Sequence, residues 1–442
     1  MPRRFVLSLL AAALASCASE PQAADDDAVA IYRSLNGRFP TLPKLVLDAF
    51  VEMPADPAPV KAAVDAYAPL LDELARATRA PRCSWTYSTP PKLGVDYPLD
   101  YIMTAGRLLS VRAQLRLDQG AVGPAVDDLL SLSKFGSDLL QDRMIIGNLL
   151  GILNSVFSCD RLRGPIRDGS LAPADLERIE RHLRLLVRRY PPFDTVLLNE
   201  RNAACSLIDE VAETGLSAAV RRISGSTDEE KEQPWMVGRW EEWLRGILNK
   251  DRERSRRIII ERWDEQLAKL SAYCKGPLNS RPKTFDRDQI VTKEHTQRMG
   301  MHALGLAGEG SLLDAADLLL GLWVPAMAKI PQHFAKGRLW LEITRLGCAL
   351  ELHRLKTGSY PRELRGLGEE PEDPYDGKSL KYRRVVTPDG EGFVLAAAGP
   401  LEDSDARMRF LAEECDFDLA KYYATYDDGD TDAITFGVFR HR

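Results

Sequence analysis

The sequence predicts a mainly α-helical protein, a helical array of paired helices followed by a small α+β C-terminal module of one helix and an antiparallel sheet. Three observations predict it. From about Asp25 to Ala335, apolar residues recur at three- and four-residue steps, the period of an amphipathic helix. Helix-length runs are joined by short glycine turns, as where Arg107 to Leu117 and Val122 to Phe135 meet at Gly120. Alternating runs rich in β-branched and aromatic residues appear only beyond residue 336.

The chain opens on residues 1–16, which read as a signal peptide. Arg3 and Arg4 give a positive start, and Phe5 to Leu14 is an apolar run too short to span a bilayer permanently. Leu14-Ala15-Ser16-Cys17 resembles the lipobox of bacterial lipoproteins. The resemblance implies cleavage after Ser16, a diacylglyceryl group on the Cys17 thiol and acylation of the new amino terminus. Several acyl chains hold far more firmly than one. With Ala18 and Ser19 next, and no aspartate, it also implies an outer-membrane lipoprotein facing the periplasm or the exterior. An ordinary signal peptide ending near a cysteine, or a cytosolic protein with an apolar start, are the other readings. Residues 17–27, with Asp25-Asp26-Asp27, form a polar lipidated tether.

Cleavage would leave enough chain for two or three domains and a large core. It would remove two arginines and no acid, so the formal charge falls from −6 to about −8. A mildly acidic chain with scattered basic residues excludes nucleic acid as a partner class. The most apolar later stretch, Leu312 to Ile330, is broken by Asp314, Asp317, Pro325 and Lys329 and reads as core helix. Besides Cys17 there are six cysteines: Cys83, Cys159, Cys205, Cys274, Cys348 and Cys415. None stands in a CxxC or at zinc-ligand spacing. In an oxidising compartment they permit three disulfides in fifteen pairings. Cys83 and Cys415 sit in polar, irregular stretches and are the disulfide candidates. Cys159, Cys205 and Cys348 read equally as small buried thiols.

The helical body spans residues 28–335. Leu176, Ile179, Leu183 and Leu186 make one stripe, with Pro173 at the helix start where proline is tolerated. Val60, Val64, Tyr67 and Leu71 make another. Ala113, Gly120 and Ala125 have the spacing of one tetratricopeptide-type hairpin, but the period does not recur in tandem. Residues 80–99, with Pro81, Cys83, Trp85, Pro90, Pro91 and Pro98, read as a long loop or domain seam. Residues 224–233 (SGSTDEEKEQ) read as a flexible linker. Met236, Trp240, Trp243 and Ile247 then recur at helical spacing, either as core packing or as a docking stripe.

The C-terminal module spans residues 336–442. Leu339, Ile343, Leu346 and Leu350 predict a helix ended by Thr357-Gly358. Strands are predicted at 380–385 (LKYRRV), 393–398 (FVLAAA) and 433–439 (AITFGVF), the last with Ile434, Phe436 and Val438 on one face. The sequence Arg354, Thr357-Gly358-Ser359-Tyr360-Pro361, Asp373-Pro374-Tyr375-Asp376-Gly377-Lys378, Tyr382 and Ala398-Gly399-Pro400 resembles the headpiece of type II secretion major pseudopilins. That resemblance covers roughly residues 336–400 and 427–439. It implies a helix followed by a small antiparallel sheet, and calcium in the acidic loop. It departs from the family in placing the helix behind some three hundred residues of other protein, so pilus assembly is not implied. The acidic loop itself holds Asp427, Asp428, Asp430 and Asp432 around Gly429, a hard-oxygen environment suited to calcium, without the EF-hand spacing. A solvated acidic turn is the plainer reading.

Catalytic templates fit poorly. Ser131-Leu132-Ser133-Lys134 and Lys356-Thr357-Gly358 spell SxxK and KTG, but the serine lies inside an apolar helical run and KTG ends a helix where a strand is required. Glu294, His295 and His302 lack a completing carboxylate for a metal, and the GLAGEG run at 305–310 has no strand before it to cradle phosphate. The expectation is therefore a non-enzymatic scaffold or binding protein of the cell envelope, with a protein or envelope polymer as partner. The alternative is an envelope-polymer hydrolase whose carboxylates are assembled from distant parts of the chain. Strongly perturbed carboxylates in a cleft would favour the enzyme.

Overall fold

The computed structural model describes residues 27–83, 85, 99–141, 145–198, 213, 246, 249, 252–274, 276–280, 330–368, 371–388, 390–398 and 435–441. It is mainly helical with one small antiparallel sheet, the predicted class. Four short helices lead: α1 (Ala28–Ser34), α2 (Lys44–Val51), α3 (Ala58–Asp65) and α4 (Ala68–Ala77). Asp27, at the end of the expected tether, is the N-cap of α1, its carboxylate accepting from the Val29 amide at 3.0 Å. Two long helices follow, α5 (Leu99–Asp118) and α6 (Val122–Leu140), turning at Gly120 with φ +73° as the sequence predicts. Then come α7 (Ile145–Asp168), α8 (Pro173–Arg188), α9 (Arg252–Cys274) and α10 (Ile330–Thr357). No described helix is long and apolar enough to cross a membrane.

Helix α8 is the simplest case. Pro173 begins it, Asp175 favours its positive end, and Leu176, Ile179, Leu183 and Leu186 are all buried. They pack against α10. Helices α6 and α7 approach closely at Gly136 and Gly151, and the Ser158 hydroxyl donates across to the Leu129 carbonyl at 2.6 Å. Strands β1 (Lys381–Thr387), β2 (Gly390–Ala396) and β3 (Thr435–His441) form an antiparallel sheet in the order β1-β2-β3, with Val385 opposite Gly392 and Phe393 opposite Val438.

One core runs through both sides of residue 336. It joins Val126, Leu162, Ile166 and Ile179 to Leu339, Ile343, Leu346, Tyr360, Phe393 and Phe436. Helix α10 lies between α7 and α8 on one side and β2 and β3 on the other. That enclosure buries Glu342, Arg345 and Glu351 as well as the predicted apolar stripe. Each has a partner: Arg345 donates to Glu342 at 2.8 Å, and Glu351 accepts from Arg354 and Arg440 at 3.0 and 3.1 Å. A second core gathers α1 to α5 around Tyr32, Leu71, Leu108 and Phe135.

The Tyr360-Pro361 and Asp373-Pro374 segments tie the C-terminal module together. Gly358 ends α10 at φ +82°. The Tyr360 amide donates to Glu391 at 2.9 Å, and the Tyr382 hydroxyl donates to the Pro361 carbonyl at 2.6 Å. Asp373 is fully buried, its carboxylate accepting from the amides of Tyr375 at 2.9 Å and Ala398 at 2.5 Å.

The last strand also fastens α7. The Arg440 guanidinium donates to the carbonyls of Ile166 and Arg167 in the final turn, the Ile166 carbonyl also accepting from the Gly169 amide at 3.3 Å. Gly169 follows with φ +70°, and a Cβ there would lie 3.0 Å from the guanidinium carbon of Arg440. Gly169→Ala is expected to destabilise by about 1–2 kcal/mol, through the left-handed backbone and the crowding together. Urea denaturation checks this, and an unchanged midpoint would mean that the Arg440 guanidinium does not lie against Gly169.

Candidate ligand-binding cavity

Most residues singled out in the sequence for chemistry lie outside the described residues: Cys17, Cys415, the aspartates 427, 428, 430 and 432, and Glu294, His295 and His302. Among the described residues no group of three His, Cys, Asp or Glu side chains could hold a metal. Cys83, one of the two disulfide candidates, is a free thiol among the described residues, held against the Asp138 carbonyl at 3.8 Å. Burial first, then the Asp138 charge, pushes that thiol far above its ordinary range. Cys159 is fully buried and is pushed up to about 12 by burial. Ser131 lies inside α6, and Lys134 forms an ion pair with Asp138, so this SxxK has no free lysine base.

The described carboxylates with raised proton affinity are all interior. Asp138 is 3 % exposed, with Tyr32 donating to Oδ2 at 2.8 Å, Lys134 on Oδ1, and Trp85 Nε1 on its carbonyl at 2.7 Å. Burial pushes it up, while Lys134 and Tyr32 pull it back. Asp128 is clasped by Arg112 at 2.6 and 3.0 Å and by Arg116 at 2.6 Å, tying α5 to α6. Asp373 is pushed up by burial against its two amide donors.

Near Lys134 lies one neutral base. Ser133 donates to the Leu130 carbonyl at 3.0 Å, and its oxygen meets His182 Nε2 at 3.0 Å. Burial, then the charges of Lys134 and Arg178, lower His182 to about 4. Since the unfolded imidazole titrates near about 6.5, the unfolded state binds the extra proton between those values. Stability contributed by His182 is therefore present above pH ~6.5 and lost as pH falls toward 4. Wild type is expected to lose about 2 kcal/mol more than His182→Gln between pH 7.5 and 4.5. Parallel stability curves for the two proteins would exclude a neutral, half-buried imidazole.

None of these interior groups lines the larger of two concavities formed by described residues. That cavity, about 590 Å³, opens where the α5–α6 turn meets the last two turns of α7. Its lining includes Arg161, Arg163 and Arg167 together with Asp118, Asp160 and Asp168. The charges are sorted by depth: the three aspartates are exposed, while Arg163 is buried and Arg161 and Arg167 are half-buried. Arg163 is laid over the Trp340 ring at 4.0 Å. Arg161 donates to Gln114 Oε1 at 3.1 Å and to the Phe50 carbonyl at 2.9 Å. The walls are thus rigid and polar. A smaller cleft, about 330 Å³, is lined by Tyr190, Pro191, Phe193, Phe334 and Pro374.

Sequence reasoning passed over this cavity. The run Asp160-Arg161-Leu162-Arg163-Gly164-Pro165-Ile166-Arg167-Asp168, alternating charge along a helix end, was the available signal. No known family model, curated protein or solved structure matches the chain.

Proposed function

We propose that the chain is an extracytoplasmic lipoprotein, anchored through lipid on Cys17 to the outer membrane, that acts as a non-enzymatic binding or scaffold protein of the cell envelope. The observation that carries the non-enzymatic half is the placement of the shifted carboxylates. Asp128, Asp138 and Asp373 are buried against arginine, lysine, tyrosine or backbone donors, and none lines either cleft. A hydrolase needs such groups where a substrate can reach them. The cavity instead presents guanidinium groups and exposed carboxylates, groups suited to holding a charged ligand. The lipid anchor rests on the Leu14-Ala15-Ser16-Cys17 sequence.

Purification of the chain from its own membranes in mild detergent, with mass spectrometry of what accompanies it, tests the reading. The expected result is a membrane-bound chain beginning at an acylated Cys17, with a stoichiometric partner. A Cys17→Ala chain is expected in the soluble fraction. Recovery of the protein alone, with turnover of an envelope polymer, would replace binding with hydrolysis. Calcium is expected to raise the melting temperature of the full chain through the loop at 427–432, and Asp430→Asn is expected to remove the shift.

A further inference from the structure

We propose that the cavity at the end of α7 binds a short peptide with free amino and carboxyl termini, its carboxylate against Arg161 and its ammonium against Asp168. The inference rests on reading the chain as a binding protein and names the chemistry of what it binds.

Arg161 carries the argument. It is half-buried, and both of its acceptors, the Gln114 carboxamide and the Phe50 carbonyl, are neutral. They fix the plane of the guanidinium and leave its charge without a carboxylate among the described residues. A partly desolvated cation is stabilised by a buried anion more than by water, and a guanidinium takes a carboxylate through two parallel hydrogen bonds. The adjacent Asp160 does not supply that carboxylate, because neighbours in a helix point about 100° apart. Asp160 and Asp168 form no ion pair with a described residue, and both are exposed at the mouth.

The sorting of charge then selects the ligand. A simple anion such as phosphate would meet the three exposed aspartates, and a simple cation would meet the Arg161 and Arg167 side chains that line the same cavity. A molecule bearing both signs, negative end inward, satisfies both layers. Its length follows from the helix. Arg161 and Asp168 are seven residues apart, about 10 Å along the axis at 1.5 Å per residue. Three residues of extended chain reach about the same distance. The cavity volume suits a ligand of that size. Between the two charged residues Gly164 leaves open space, with no heavy atom within 4 Å of where its Cβ would be.

Calorimetric titration of the full chain with triglycine and trialanine tests this, alongside N-acetyl-triglycine and triglycine amide. At least one free tripeptide is expected to bind, and blocking either terminus is expected to weaken it tenfold or more. Arg161→Gln should bring the free peptide down to the affinity of its amide. Asp168→Asn should erase the difference between free and acetylated peptide. Gly164→Phe should abolish binding while leaving the melting temperature at or above that of wild type, which separates a filled cavity from a damaged fold. Absence of heat with both free peptides, equal binding of free and blocked forms, or undiminished binding by Gly164→Phe would overturn the proposal. A membrane partner still captured by Gly164→Phe would leave the scaffold reading intact while the peptide site fell.

Discussion

Alanine at Gly151 is expected to destabilise the protein by roughly 3 kcal/mol, and alanine at Gly136 by a similar amount. A Cβ at Gly151 would lie 2.5 Å from the Gly136 carbonyl oxygen and 3.0 Å from the Leu140 nitrogen. One at Gly136 would lie 2.6 Å from the Gly151 carbonyl and 2.5 Å from Ser155 Oγ. These neighbours are mostly backbone, so no rotamer change relieves the contact, and α6 and α7 must separate. Separation would strain the bond from Ser158 to Leu129 and open the core at Leu129 and Leu162. The helix-propensity gain of alanine over glycine, up to about 1 kcal/mol, offsets only part of this. Gly164→Ala supplies the control in the same helix, where the Cβ enters open space and the expected effect is a gain of up to about 1 kcal/mol. Guanidinium denaturation of the three variants should give opposite signs within one helix. A Gly151→Ala protein as stable as wild type would mean the two helices are not in this close contact.

Removing the Asp138 carboxylate is expected to cost about 3–5 kcal/mol. The Lys134 ammonium is only 14 % exposed and would lose its counter-ion, and the fully buried Tyr32 hydroxyl would lose its acceptor. The penalty comes from stranded partners more than from a lost favourable pair. Asp138→Leu combined with Lys134→Met and Tyr32→Phe should therefore recover much of what Asp138→Ala loses. Equal destabilisation by the single and triple variants, measured by denaturant midpoint at constant slope, would defeat this account.

These two sites mark what the sequence disclosed and what it withheld. One-sided helices were legible: Leu176, Ile179, Leu183 and Leu186 lie buried in the order read from their spacing. The Gly120 turn and the three strands were also legible, with ends shifted by a few residues. Strand β2 begins at Gly390, earlier than the predicted Phe393, because Gly390 and Gly392 offer no side-chain alternation to read. Helix α10 was legible only on its apolar face. Its buried Arg345 and Glu351 reach partners at Glu180 and Arg440, and no local pattern announces a pairing 165 residues away. Trp85 read as part of a loop, yet it is 6 % exposed and donates to the Asp138 carbonyl of α6. The cavity was illegible for the same reason, since the α5–α6 turn and the end of α7 converge only in the folded chain.

The Arg440 clamp has a consequence for how the protein is made. Its guanidinium joins carbonyls that lie 274 residues earlier in the chain. Helices α6, α7 and α8 share their core with α10, β2 and β3, so that core is complete only when the final strand arrives. Chains emerge at roughly 5–20 residues per second, which leaves that core unfinished for about ten seconds or more after α7 is made.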